Sequence, residues 1–223
     1  MRTISFGGLF AALCLLAGCG PTPVTISSNP GGANVLVNGE DIGTTPVKHT
    51  FDYSKLTYYD VVVRKTGYLD MSQQLVGDTD AARRDTLSFD LPVDPAYNET
   101  TPSPAVNQWM RVEVSQRLLR DAMWQTLVDA VTSRYSNVEQ LDAASGYIRS
   151  VPLTKIYNIP STGGSYTIRT QFIGSIVSTQ PLVFKFKIQS DFSDQPDHWT
   201  PFDRVFAGDQ QLVEELQNRL GLK

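Results

Sequence analysis

Turn-forming clusters interrupt residues 24–91 at intervals of roughly 8–12 residues, which breaks this stretch into short strands. Val24-Thr25-Ile26-Ser27 alternates apolar and polar side chains and runs into Ser28-Asn29-Pro30-Gly31-Gly32. Asn34 to Val37 follows, and Asn38-Gly39 after it is a strong hairpin signal because both positions tolerate positive φ. Gly43-Thr44-Thr45-Pro46 ends the return strand. Tyr58 to Arg64, rich in Tyr and Val, reads as a buried strand, and Lys65-Thr66-Gly67 turns into a further strand from Tyr68 to Leu75. Arg84 to Leu91 alternates and closes the sheet. The pattern predicts a small all-β domain, an antiparallel sandwich over residues 24–91.

The glycines and prolines of this stretch carry a resemblance. Ser28, Pro30, Gly32, Ala33, Val35, Val37, Gly39, Gly43, Thr45 and Pro46, with Lys65, Gly67 and Tyr68 downstream, resemble the PEGA domain pattern. Gly31 stands where that family often has Glu. The resemblance implies a β-sandwich of the kind found as an accessory module in bacterial envelope and surface proteins. It gives Pro30, Gly32, Ala33, Gly39, Gly43, Pro46, Gly67 and Tyr68 structural roles and implies no catalytic residue.

Residues 92–108 hold Pro92, Pro95, Pro102 and Pro104 among Asn, Thr and Ser, and read as a linker. Residues 109–223 read as an α+β domain: a long helix, three antiparallel strands and a C-terminal helix. The long helix is predicted from Val112 to Tyr135, with a stripe of Leu119, Met123, Leu127, Val131 and Tyr135. The strands are predicted over Ser145–Val151, Tyr166–Ser178 and Leu182–Asp191. Asp209 is the expected N-cap of the last helix, Leu212, Val213, Leu216 and Leu220 its core face, and Gly221 its stop.

The first residues set the expected location. Arg2 precedes a short apolar run, Leu9 to Leu16, far below the roughly 20 residues a bilayer crossing needs. Leu16-Ala17-Gly18-Cys19 resembles the bacterial lipobox. Residues 1–18 are therefore expected to be a secretion signal, with cleavage between Gly18 and Cys19, and residues 19–23 a tether. Cys19 is the expected lipid-attachment residue, each buried CH₂ of its acyl chains contributing about 0.8 kcal/mol of membrane affinity. Gly20, rather than Asp, points to the outer membrane, facing the periplasm.

Both cysteines, Cys14 and Cys19, fall in this segment, so the folded body offers no disulfide, thiolate metal site or cysteine nucleophile. Nineteen Lys and Arg against twenty-three Asp and Glu give a formal net charge of −4, which argues against nucleic acid as a partner. Two histidines, His49 and His198, exclude most His-based metal clusters. Asp191, Asp194 and Asp197 are oxygen ligands in one loop, but their spacing does not match a calcium-binding loop, and helix-capping acids in a solvated turn are the expected reading. His198 and Asp203 have no nucleophile of recognisable context nearby. Tyr58, Tyr59 and Trp109 are aromatic positions able to line a peptide or glycan groove; core or interdomain packing is the expected role.

These features together predict a non-enzymatic, lipid-anchored envelope lipoprotein with no catalytic residue, metal or cofactor. It would bind or scaffold, attached to the membrane by its N-terminal lipid and touching an envelope protein or the cell wall. Two alternatives stand beside this reading: a periplasmic small-molecule or lipid carrier with an apolar cavity between the long helix and the sheet, and a hydrolase with a cleft on the C-terminal domain near Asp191 to Asp203.

Overall fold

The computed structural model describes residues 21–77, 79 and 84–221. The expected signal segment, Gly18 and Cys19 lie outside the described residues. The chain divides into two compact units: residues up to Thr66 together with Asp70–Leu91, and Gly67–Leu69 together with Pro92 onward.

The first unit is all strand. Its elements are β1 (Thr22–Asn29), β2 (Asn34–Val37), β3 (Glu40–Thr44), β4 (Val47–Phe51), β5 (Tyr58–Arg64), β6 (Met71–Val76) and β7 (Thr86–Asp90). They form a three-stranded sheet in the order β4-β1-β7 and a four-stranded sheet in the order β3-β2-β5-β6. The pairing is antiparallel throughout except that β1 and β7 run parallel, which the sequence reading did not anticipate. Alternate residues point inward, as a period of two requires. Ile26, Val35, Phe51, Val61, Val63 and Leu75 are fully buried. The Phe51 ring of one sheet meets the Tyr59 ring of the other edge-on at 5.0 Å. Each such aliphatic or aromatic side chain contributes roughly 1.5–3 kcal/mol by leaving water. Asn38 and Gly39 take φ of 51° and 83°, the left-handed pair that a two-residue hairpin demands.

The second unit holds β8 (Thr100–Pro102), β9 (Met110–Glu113), α1 (Arg120–Tyr135), β10 (Val138–Asp142), β11 (Tyr147–Ser150), β12 (Leu153–Asn158), β13 (Ser165–Thr179), β14 (Leu182–Gln195), β15 (His198–Pro201), β16 (Arg204–Phe206) and α2 (Ala207–Leu220). A seven-stranded antiparallel sheet runs β10-β11-β13-β14-β15, with β12 also pairing β13 and β9 also pairing β14. The long β13–β14 hairpin is its spine. One face of the spine, with Phe172, Phe184, Phe186 and Ile188, is buried in one cluster with Met123, Leu127 and Val131 of α1 and Leu212, Val213, Leu216 and Leu220 of α2.

Several expectations change here. The sheet has seven strands where three were predicted, because β9, β10, β12 and β15 are short and partly polar; in β10 only Val138 is not exposed. The long helix starts at Arg120, not Val112. Val112 and Val114 alternate as strand residues, and both are buried. Leu119 is 78% exposed, since it precedes the helix instead of sitting in its stripe. The proline-rich stretch 92–108 packs into the second unit: Ala96 and Ala105 are fully buried, and β8 pairs with β16. The Asn107 amide donates to the carbonyls of Ser190 and Phe202 at 2.9 Å each, and its oxygen accepts from the Ser190 N–H, which fastens the segment to β14. The strand expected to start at Tyr68 begins at Met71; Gly67, with φ of 82°, turns the chain, and Tyr68 bridges to Val93.

Asp209 is not the residue that opens α2. Phe206 does, and Asp209 accepts its N–H from the first turn at 3.2 Å. Gly221 follows α2 as expected but has φ of −68°, so left-handed backbone is not why glycine stands there. A Cβ would lie 2.5 Å from the Gln217 carbonyl oxygen.

Candidate functional site

The residues of the Gly/Pro pattern build a clasp between two turns of the first unit. Thr45 is its centre. The Thr45 hydroxyl lies 2.6 Å from the Ser28 hydroxyl and accepts from the Ala33 N–H at 3.0 Å. The Thr45 N–H donates to the Ala33 carbonyl and its own carbonyl accepts from the Gly32 N–H. Ser28 also donates to the Pro30 carbonyl at 2.7 Å, and the Lys65 ammonium donates to the Gly31 carbonyl at 2.9 Å. Ala33 is fully buried, so a larger side chain has no room, and Gly32 sits at φ of 73°. The hydroxyls of Ser28 and Thr45 and the N–H groups of Gly32, Ala33 and Thr45 are all bonded within the clasp, which makes it a structural device. Gly43 accepts a different constraint: φ of 114°, with its N–H held by the Asp41 carboxylate at 2.9 Å.

The open chemistry lies in the second unit, on the face of the seven-stranded sheet turned away from the buried cluster. Strand register sets its rows. Arg111 lies opposite Lys185, Lys185 opposite Ser175, and Ser175 opposite Tyr147. In the next row Lys187 lies opposite Ile173, and Ile173 opposite Arg149. Farther along, Arg169 lies opposite Asp191. Two of these cations are matched: Arg149 by Glu139 at 3.3 Å and Arg169 by Asp191 at 3.0 Å. Arg169 also stacks on the Trp199 ring at 3.9 Å.

Arg111, Lys185 and Lys187 are different. Among the described residues no carboxylate comes within ion-pair distance of them. The two lysines instead lie over the Trp109 ring, at 4.5 and 5.5 Å from its centre. Trp109 is 46% exposed, so it is not the packing aromatic expected from sequence. A cation over an indole gains roughly 0.5–1 kcal/mol at an exposed site and keeps its charge available to solvent. Tyr58 is likewise exposed, whereas Tyr59 is buried with its hydroxyl donating to the Asp52 carbonyl at 3.0 Å.

The same patch borders β9, a strand at the margin of the sheet. β9 pairs with β14 on one side, and just beyond its end the Ser115 N–H donates to the Leu220 carbonyl at 2.9 Å and Val114 bridges to Gly221, so the end of α2 meets its other side. The Val114 N–H donates to the Leu182 carbonyl, which fixes the ladder's alternation. Arg111 and Glu113 consequently direct their N–H and C=O groups away from β14, to the side on which Ser115 meets Leu220.

The other sequence candidates do not assemble. Asp191 is buried in β14 beside Arg169, Asp194 lies at the exposed end of that strand, and Asp197 is in the turn beyond with φ of 59°. Among the described residues no group of three His, Cys, Asp or Glu side chains could hold a metal ion. No hydrogen bond or ion pair joins His198 to Asp203 among those residues.

Sequence reasoning also missed a buried ion pair. The Arg134 guanidinium donates from Nε to Asp209 at 2.7 Å, and Asp209 has no solvent exposure. Burial pushes the Asp209 carboxyl above its ordinary range, against the opposing pull of Arg134. Beside this pair a cavity of about 390 Å³ is lined by Glu99, Leu153, Lys155, Phe206 and Gly208. Its Glu99 carboxyl is held below the usual range by Lys155 and Tyr157, both donating at 2.5 Å. Each cation at this cavity thus already has its acid.

Comparison with curated proteins finds no match. The PEGA domain family matches residues 22–84, and with the clasp of Ser28, Ala33 and Thr45 inside that segment the chain carries a PEGA domain there.

Proposed function

We propose that the chain is a lipid-anchored lipoprotein of the cell envelope that binds or scaffolds without catalysing a reaction. Its signal segment ends at Gly18, Cys19 carries the lipid, and the protein faces the periplasm from the outer membrane. The two sheets of the PEGA domain form a sandwich that serves as an accessory module, and the second unit makes the contact with an envelope protein or the cell wall. One observation carries this reading: Lys185 and Lys187 lie over exposed Trp109, with Arg111 opposite Lys185, and no acid is paired to these three cations among the described residues. Aromatic and guanidinium groups of this kind dominate binding surfaces, where ion pairs steer association and rings supply contact area.

The test replaces Cys19 with Ala in a parallel strain, crosslinks both strains in cells and identifies what co-purifies. An envelope partner held by the wild type and lost from Cys19→Ala supports the proposal. A hydrolase activity of the purified protein that one substitution removes contradicts it.

A further inference from the structure

Resting on that reading, the geometry points to the kind of partner: we propose that an acidic helix of another protein lies across the outer face of the seven-stranded sheet, two of its carboxylates meeting Arg111, Lys185 and Lys187 beside Trp109.

The charge pattern selects a protein. Trp109 and Arg111 are exposed, and Lys185 and Lys187 are half-buried with their ammonium groups over the indole. Around these three free cations the same face carries acids. Glu113 is exposed opposite Val183, with no cation in ion-pair distance among the described residues. Glu139 takes Arg149 at 3.3 Å, and Asp191 takes Arg169 at 3.0 Å. A bilayer or a polymer of uniform negative charge meets those acids together with the cations, and like charges brought together cost affinity. A folded partner sets each charge singly. It can answer Arg111, Lys185 and Lys187 and give Glu113 a neutral or basic neighbour.

Layering selects a helix. α1 and α2 cover one face of this sheet, and the cations alternate with Phe184 and Phe186 onto the other. An element laid on a sheet face, instead of paired at its edge, finds no backbone partner there. It must satisfy its own amides, which a helix does. Carboxylates four residues apart on a helix stand about 5–6 Å apart. Register puts Arg111 and Lys185 in one row. Lys187 lies two residues along β14, about 6.8 Å farther, a difference that long Lys and Arg side chains take up. One carboxylate therefore meets the Arg111 and Lys185 row, and the next meets Lys187. An apolar residue three positions after the first carboxylate shares that helix face, where the exposed indole supplies contact area.

The experiment measures anisotropy of a dye-labelled, crosslink-stabilised helical peptide with Glu-Ala-Ala-Leu-Glu at its centre, against the full chain purified in detergent. The expected result is saturable binding, about tenfold weaker for the Lys185→Glu/Lys187→Glu pair. Glu113→Gln leaves it equal or tighter. A peptide of the same composition with its two Glu on opposite helix faces binds wild-type protein about fivefold more weakly, the loss of one ion pair. That comparison does not depend on the folding of any variant. The peptide with Lys in place of both Glu prefers the doubly reversed variant to wild type, a gain that a misfolded variant cannot give. Equal binding of the two Glu peptides would overturn the helix in favour of a diffuse anion site. Polygalacturonate, or vesicles containing phosphatidylglycerol, binding through the same lysines while the peptide fails would overturn the protein partner but leave the envelope-binding reading intact. Failure of every ligand overturns this inference, whereas the in-cell capture of Cys19→Ala decides the parent reading separately. A dimer that forms without peptide and is lost in the doubly reversed variant would overturn the separate partner and assign the face to a second copy of the chain.

Discussion

Arg134→Met is expected to lower the stability of the second unit by about 3–5 kcal/mol at neutral pH. Asp209 has no solvent exposure, and Arg134 is the cation that faces it, at 2.7 Å. The methionine fills most of the space but leaves a buried carboxylate without its charge partner. Burial already holds the Asp209 carboxyl above its ordinary range, and Arg134 is what pulls it down. The native state therefore binds this proton more tightly than the unfolded chain does, more so in the variant. Lowering the pH through the native value neutralises Asp209 and favours folding through this group. The deficit of Arg134→Met relative to wild type should be largest at neutral pH and shrink on acidification. Arg134→Met/Asp209→Asn should recover most of the loss at neutral pH. Urea unfolding of the three proteins at several pH values checks this. A deficit that stays constant with pH would mean that the pair acts through packing alone.

Phe184→Ala is expected to cost about 3–5 kcal/mol, the range for a buried phenylalanine. Phe184 is fully buried and stacks with Phe186, whose ring stacks in turn with Phe172. Gly174 makes room for it: a Cβ on Gly174 would lie 2.3 Å from the Phe184 ring. The two positions are therefore coupled with opposite signs. Gly174→Ala alone overpacks the core and destabilises. Added to Phe184→Ala, the same methyl enters the space vacated by the ring and recovers part of the loss. A double-mutant cycle measured by thermal unfolding reads this directly. Additive losses would show that Gly174 and Phe184 do not share that space.

How much of this was readable from sequence depended on burial. The Asn38-Gly39 turn was legible because both residues tolerate positive φ, and the alternation of β14 and the apolar face of α2 because each presents one buried side with an unbroken period. The stripe Met123, Leu127, Val131 and Tyr135 was legible for the same reason, and all four are buried. Its extension back to Val112 failed because Val112, Val114 and Leu118 also fit a helical period, and only pairing with β14 decides in favour of a strand. β10 and β12 were missed because edge strands need little apolar alternation when a neighbour supplies their hydrogen bonds. The proline-rich stretch was misread because Pro, Thr and Asn mark loops on average. Here Asn107 and buried Ala96 and Ala105 tie it down, an arrangement that involves partners more than eighty residues away in sequence. At the candidate site, Trp109 was noticed but assigned to packing. The signal that corrects this, two lysines two residues apart on the strand beside it, was present as Lys185 and Lys187. Its meaning depended on the β9–β14 register, which sequence alone does not supply.

The most direct measurement of the central claim places a photo-reactive phenylalanine at position 109 in cells, with position 141 as control. Leu141 is also exposed, on β10 at another edge of the same sheet. The account predicts adducts with an envelope protein from position 109, absent from position 141 and reduced when Cys19 is replaced by Ala. Irradiation that gives no adduct at 109, or the same adducts at both positions, would contradict it.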